Sequence, residues 1–235
     1  MNSKVYEKKI NGLVDYFKSG ETHSSNFKLG LEIEHFILHK NDLEAVPYKG
    51  DNGVEGILKK FEKIGWQAIY ENKNIVGLKG KKVDISLEPG GQLELSFHPL
   101  KTVNEIEEIY NNFLCEITPL LKTEGKVLLA AGYQPITRIS NIDLLPKKRY
   151  FHMYDYFKNK GKYAHNMMKG TASIQVNLDY DSEEDFRKKM RVAYFLSPLI
   201  YFFFDNGPFF EGEIAFLQNI RSIIWDNCDT DRCGL

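Results

Sequence analysis

Apolar residues recur along this chain with two alternating periods, and each change of period marks an element. From residue 4 to about 18, Tyr6, Ile10, Leu13, Val14 and Phe17 form one helical stripe, and Gly20 follows as a stop. Residues 27–38 switch to period two. There Leu29, Leu31 and Ile33 alternate with Gly30, Glu32 and Glu34, which predicts a strand. A short helix is expected over 53–64, carried by Val54, Ile57, Leu58, Phe61 and Ile64. Residues 66–97 read as several strands broken at "ENKN", "KGKK" and "PGG". The clearest helix start is Thr102: "TVNE" is a capping box, in which the Thr hydroxyl and Glu105 satisfy reciprocal N–H groups. A helical run from Val103 to Leu121 follows. A buried strand is expected at 126–132, a helix at 143–158 and a strongly alternating strand at 171–180. Ser182 opens a last long helix, expected to bend or end near Pro198, where an N–H is missing. Helices and strands mix without regular βα alternation, and no linker composition intervenes. One α+β domain over residues 1–235, with a mainly antiparallel sheet, is the expected class.

Composition narrows the function classes. The 235 residues carry 31 Lys+Arg against 32 Asp+Glu, so no global charge favours nucleic acid as a partner. The most apolar run, "YFLSPLIYFFF", is about half of the roughly 20 residues that a membrane helix needs, so no membrane association is expected. The N-terminal stretch lacks a continuous apolar segment, and the expectation is that there is no signal peptide. The count of 3 Cys favours a reducing, cytoplasmic setting.

The period-two segments share an unusual polar phase. In "GLEIEHF" Glu32 and Glu34 lie on one face, and in "VDISLE" so do Asp84, Ser86 and Glu88. Gln92, Glu94 and Ser96 share a face in "QLELSF", as do Ser173, Gln175, Asn177 and Asp179 in "TASIQVNLD". This is either one solvated side of an antiparallel sheet or a cation site. Solvated strands usually mix Lys, Arg and Thr among their acids, and converging Glu repel one another unless a cation neutralises them. Oxygen donors without a Cys or His cluster suit Mg²⁺ or Mn²⁺, which in turn commonly accompany phosphates. The pattern alone specifies no reaction.

The stretches "GLEIEHF", "SLEPGGQLELSFHPL", "AAGYQP", "TASIQVNLDYDSEEDFRKKMRVAYFLSPL", "FDNGPFFEG" and "IRSIIWDNCDTDRCG", in this order, resemble the motifs of the plant-type glutamate–cysteine ligase family. The likeness runs from about residue 27 to the end of the chain. It implies a glutamine-synthetase-like fold, an antiparallel sheet curled into a funnel with helices outside, whose polar inner face holds metal, ATP and glutamate. It also implies ATP-dependent joining of the glutamate γ-carboxylate to the cysteine amine through a γ-glutamyl phosphate, the first step of glutathione synthesis. By the same resemblance Glu32, Glu34, Glu88 and Glu94 are metal ligands, with Gln175 completing the sphere or touching a phosphate. Glu32, Glu34, Glu94 and Arg221 are then the catalytic set. Arg221 and Arg149 match positions that bind the glutamate carboxylates, a task suited to the planar guanidinium fork. Met167 and Met168 resemble a stretch lining the cysteine pocket, and Gln175 and Asn177 are further substrate contacts.

Plainer readings stand beside these. Arg149 is also part of a basic run, Arg221 also suits a structural ion pair, the Met pair also suits the core, and Arg138 matches the family only loosely. His35 and His98 read as packed or surface residues, and Cys228 and Cys233 lack the company a zinc site needs. The family is expected to continue beyond the last residue. The chain is therefore expected to be a fragment or half-length form that self-associates or needs a complementing C-terminal polypeptide. The alternatives are a ligase joining glutamate to another amine, and a non-catalytic metal- or glutamate-binding module.

Overall fold

In the computed structural model, which describes residues 3–215 and 218–233, the chain begins with helix α1 (Ser3–Ser19) and strand β1 (Leu29–His39). Helix α2 (Val54–Lys63) follows, and then four strands, β2 (Gln67–Glu71), β3 (Asn74–Lys79), β4 (Val83–Leu87) and β5 (Leu93–Phe97). Helix α3 (Val103–Thr123), strand β6 (Lys126–Leu129), helices α4 (Lys148–Phe157) and α5 (Ala164–Gly170), and strand β7 (Ile174–Leu178) come next. The described chain closes with α6 (Glu183–Phe203), the hairpin β8 (Phe209–Phe210) and β9 (Glu213–Ile214), and α7 (Ile220–Asp226).

Seven strands form one sheet in the order β2-β3-β4-β5-β1-β6, with β7 also pairing with β1. Every registered pair is antiparallel, as the class expectation required. Strand β1 is long enough to serve three neighbours: its first half lies between β5 and β7, and its second half pairs with β6. One face of the sheet carries Ile33, Ile85, Leu87, Leu93 and Leu95, all buried against α2 and α3. Helix α2 contributes Ile57, Leu58 and Phe61 to that core, and α3 contributes Ile106, Ile109, Phe113, Ile117 and Leu121. The capping box at Thr102 is formed in both directions.

Four boundaries differ from the sequence reading. The helix expected over 143–158 starts only at Lys148, because Pro146 disfavours a helical Leu145 and the Leu145 N–H instead donates to the Pro89 carbonyl at 2.8 Å. The strand expected at 126–132 stops at Leu129 and is only partly buried, and the one expected at 171–180 is confined to Ile174–Leu178. Helix α6 runs through Pro198 to Phe203. The carbonyl that Pro198 deprives of a partner belongs to Tyr194, which is exposed, so water can satisfy it. Helix α1 forms as expected, yet its stripe of Tyr6, Ile10, Leu13, Val14 and Phe17 is exposed rather than packed on the sheet.

Candidate metal and carboxylate site

Strand pairing turns the polar phase into two rows that cross four strands. In the first row Ser86 of β4 faces Glu94 of β5, which faces Glu34 of β1. Next to Glu34 comes Ser173, whose carbonyl accepts the Glu34 N–H at 2.9 Å. In the second row Asp84 faces Ser96, which faces Glu32, which faces Gln175 of β7. Directly opposed side chains on a sheet lie about 4.5–5.5 Å apart at Cβ. Glu34 and Glu94 are thus held together by the backbone ladder. Glu88 lies just past the end of β4, where a turn closed by Gly91 N–H to the Glu88 carbonyl at 2.8 Å leads into β5. Gly91 takes φ +83° there, a conformation that favours glycine.

Hydroxyl and amide donors orient three of the four glutamates. The Ser86 and Ser96 hydroxyls both donate to Oε1 of Glu94, at 3.0 and 2.7 Å. The Ser173 N–H and hydroxyl donate to Oε2 of Glu34 at 2.8 and 3.3 Å, and the Gln175 amide donates to its Oε1 at 3.0 Å. The Tyr150 hydroxyl reaches Oε1 of Glu88 at 3.2 Å.

Three of the four carboxylates are pushed up together. Burial, reinforced by Glu88 and Glu94, pushes the Glu34 carboxyl up to about 7, against the opposing pull of the Ser173 N–H and Arg221. Glu32 is raised by burial and by Glu94. Glu88 is raised by burial and by Glu94, with Arg149, Lys147 and Tyr150 opposing. Such mutual repulsion is what a bound cation would relieve. Among the described residues no three His, Cys, Asp or Glu side chains are gathered into a preformed metal cage. The donor set still fits a hard cation of the Mg²⁺ type, which keeps several waters and needs only one or two carboxylates besides its phosphates.

Arg221 approaches from α7, whose start is capped by Asn219 through Ser222 N–H at 3.1 Å. Its guanidinium lies 5.6 Å from the Trp225 ring and is felt by Glu34, while its buried Nε has no partner. The sequence-predicted residues therefore divide. Glu32, Glu34, Glu88, Glu94, Gln175 and Arg221 share one polar region, linked pairwise through Glu34 and Glu94. Asn177 lies two pairs further along β7, opposite Gly30, and is exposed. Arg149 is exposed at the start of α4, 4.8 Å from the Tyr150 ring and close enough for Glu88 to feel it. Arg138 is exposed on a separate turn. Met168 is buried in the main core, with Met167 half-buried beside it.

His35 points away from the site into the core, where its Nε2 meets the Tyr110 hydroxyl at 2.8 Å and burial lowers it to about 4. His98 is exposed, 3.4 Å from Asp84. Cys115, Cys228 and Cys233 are free thiols. Two residues escaped the sequence reading, Lys147 and Tyr150. They stand one on each side of Arg149, which the reading did single out.

Comparison with known proteins gives a consistent result. The sequence model of Glutamate-cysteine ligase family 2 (GCS2) matches residues 28–235. Glutamate–cysteine ligase A, chloroplastic, of Oryza sativa subsp. japonica is 36% identical over 224 residues, 95% of this chain and 45% of its own length. Glutamate–cysteine ligase, chloroplastic, of Arabidopsis thaliana is 37% identical over 226 residues, again 95% of this chain but 42% of its own length. The chain thus spans less than half the length of these curated relatives. No helix among the described residues is long and apolar enough to cross a membrane.

Proposed function

The chain belongs to glutamate–cysteine ligase family 2, and from that premise we propose that it supplies the metal- and glutamate-holding part of an ATP-dependent γ-glutamylcysteine synthetase. In this reading the glutamate γ-carboxylate oxygen attacks the γ-phosphorus of ATP and ADP leaves. The cysteine nitrogen then attacks the acyl carbon of the γ-glutamyl phosphate, loses a proton and expels phosphate. Glu32, Glu34, Glu88 and Glu94 would hold Mg²⁺ or Mn²⁺, with Gln175 beside them. When bound, the cation would supply positive charge that offsets the charge developing on the transferring phosphoryl group. Arg221 takes a glutamate carboxylate on its fork, Arg149 assists from the rim, and Asn177, Met167 and Met168 contribute to the substrate walls. The sheet is one wall of a glutamine-synthetase-like funnel that a complementing polypeptide or a second copy completes. The setting is a reducing one, the cytoplasm, in keeping with a count of only 3 Cys.

The observation that carries this reading is the cross-strand pair Glu34–Glu94 with the Arg221 guanidinium beside it. Like charges are unfavourable directly opposite each other on a sheet, and a bound cation would relieve that repulsion. The test is calorimetric binding of Mn²⁺ and of glutamate to the full chain. Glu94→Gln should abolish Mn²⁺ binding, and Arg221→Lys should weaken glutamate about tenfold or more while sparing Mn²⁺. Adding a polypeptide that matches the uncovered part of the relatives should then yield cysteine-dependent phosphate release from ATP. A wild-type chain that takes up neither Mn²⁺ nor glutamate would refute the proposal.

A further inference from the structure

Glu88 poses a problem that the other oriented carboxylates do not. Glu34 and Glu94 sit inside strands, where Ser173 just before β7, Ser86 of β4 and Ser96 two residues along β5 supply hydroxyl donors. Glu88 lies beyond the last residue of β4, so the ladder places no serine opposite it. A free carboxylate at a strand end keeps its rotamers and is a poor ligand until something fixes it.

That fixing group comes from α4. Tyr150 is completely buried, and its hydroxyl lies 3.0 Å from the Leu87 carbonyl and 3.2 Å from Oε1 of Glu88. A phenol has one proton and cannot serve both acceptors fully. Lys147, one turn earlier, resolves the competition because its ammonium donates to the same Leu87 carbonyl at 2.7 Å. The carbonyl is therefore supplied, and the phenol proton is available to Glu88. The helix start is itself pinned to this turn by the Leu145 N–H on the Pro89 carbonyl.

We propose that Tyr150 is a positioning residue for metal binding: it holds the Glu88 carboxylate by Oε1, and Lys147 directs the phenol proton there by occupying the Leu87 carbonyl. The inference rests on the reading of Glu88 as a ligand. Removing a hydrogen bond that orients a metal ligand typically costs about 10–100-fold in affinity.

The experiment is a Mn²⁺ titration of the full chain followed by electron paramagnetic resonance, without nucleotide or amino acids. Tyr150→Phe keeps the ring that fills the core and is read at temperatures where circular dichroism shows it folded. Tyr48→Phe is the matched control: it loses a comparable buried bond, from its hydroxyl to the Ile75 carbonyl at 2.7 Å, away from the four glutamates. The expected result is Mn²⁺ affinity weakened about tenfold or more in Tyr150→Phe, unchanged in Tyr48→Phe and weakened in Glu88→Gln. Adding Tyr150→Phe to Glu88→Gln should weaken it no further. Wild-type affinity in Tyr150→Phe alongside weakened binding in Glu88→Gln would overturn this inference and leave the ligand reading standing. Unweakened binding in Glu88→Gln, or no binding in the wild type, would bring down both.

Discussion

Glu34 combines three hydrogen-bond donors with two repelling carboxylates, and the balance has a consequence for stability. Its carboxyl rises from an ordinary 4.5 to about 7 in the folded chain. Between those values the native state holds a proton that the unfolded state has released, so stability falls as pH rises through this window. Below about pH 4.5 the penalty is absent, and above about pH 7 it is fully present, on the order of 3 kcal/mol. Glu32 and Glu88 are raised as well and push in the same direction. Urea denaturation of metal-free protein at pH 4.5, 6 and 8 should therefore show declining stability, and Glu34→Gln should flatten the decline. Saturating Mg²⁺ should flatten it too, because a cation stabilises the ionised form. A metal-free wild type that gains stability from pH 4.5 to 8 would mean that Glu34 is ionised without penalty, and the carboxylate site would lose its main electrostatic support. The phase of Glu34 was legible from period two alone. Its partnership with Glu94 was not, because register depends on which strands become neighbours.

Elements with strong local signals follow the sequence closely. Helix α3 is fixed at its start by reciprocal bonds, Glu105 N–H to the Thr102 hydroxyl at 3.3 Å and Thr102 N–H to the Glu105 carboxylate at 3.0 Å. The rest of the helix is held by its buried stripe from Ile106 to Leu121. Thr102→Ala should cost about 1 kcal/mol, seen as a lower urea midpoint at unchanged slope. A loss beyond about 2 kcal/mol would mean that Thr102 does more than cap. Elements with weak local signals were missed. Helices α5 and α7 have 7 residues each, about two turns, too few for a helical period to emerge. Each is held by tertiary contacts instead. Met168 of α5 lies in the main core, and Ile220 and Ile224 of α7 are buried with Tyr133. At Pro198 the expected end of the helix does not occur, since α6 runs on to Phe203. The proline's local signal is strong, but the cost of a lost N–H shrinks where the orphaned carbonyl meets water.

At the scale of the molecule, the pattern revealed which faces are polar and left open what covers the apolar ones. Strand β1 has β5 on one side and β7 on the other, and Glu34 and Gln175 are 141 residues apart in sequence, a proximity that no periodicity encodes. Strand β7 is paired through β1 alone among the described strands, and its Ile174, Val176 and Leu178 are 68%, 60% and 56% exposed. Helix α6 has no buried residue, although Phe195, Phe202, Phe203 and Phe204 all lie along it or at its end. With the exposed stripe of α1, these leave many large apolar side chains uncovered on β7, α6 and α1. Covering one such side chain fully contributes about 1.5–3 kcal/mol, so the three on β7, each only a little over half exposed, represent roughly 3–5 kcal/mol. That is a sizeable share of the roughly 5–15 kcal/mol that stabilises an ordinary domain. An unpaired strand edge beside those side chains is a template for further pairing. The 235-residue chain by itself should therefore elute from gel filtration above its 27.2 kDa mass and release no phosphate from ATP with glutamate and cysteine. Val176→Lys, which puts a charge on the apolar face of β7, should shift it toward monomer while leaving Mn²⁺ binding at the polar face intact. A monodisperse wild-type monomer that makes γ-glutamylcysteine unaided would show that the exposed face needs no cover.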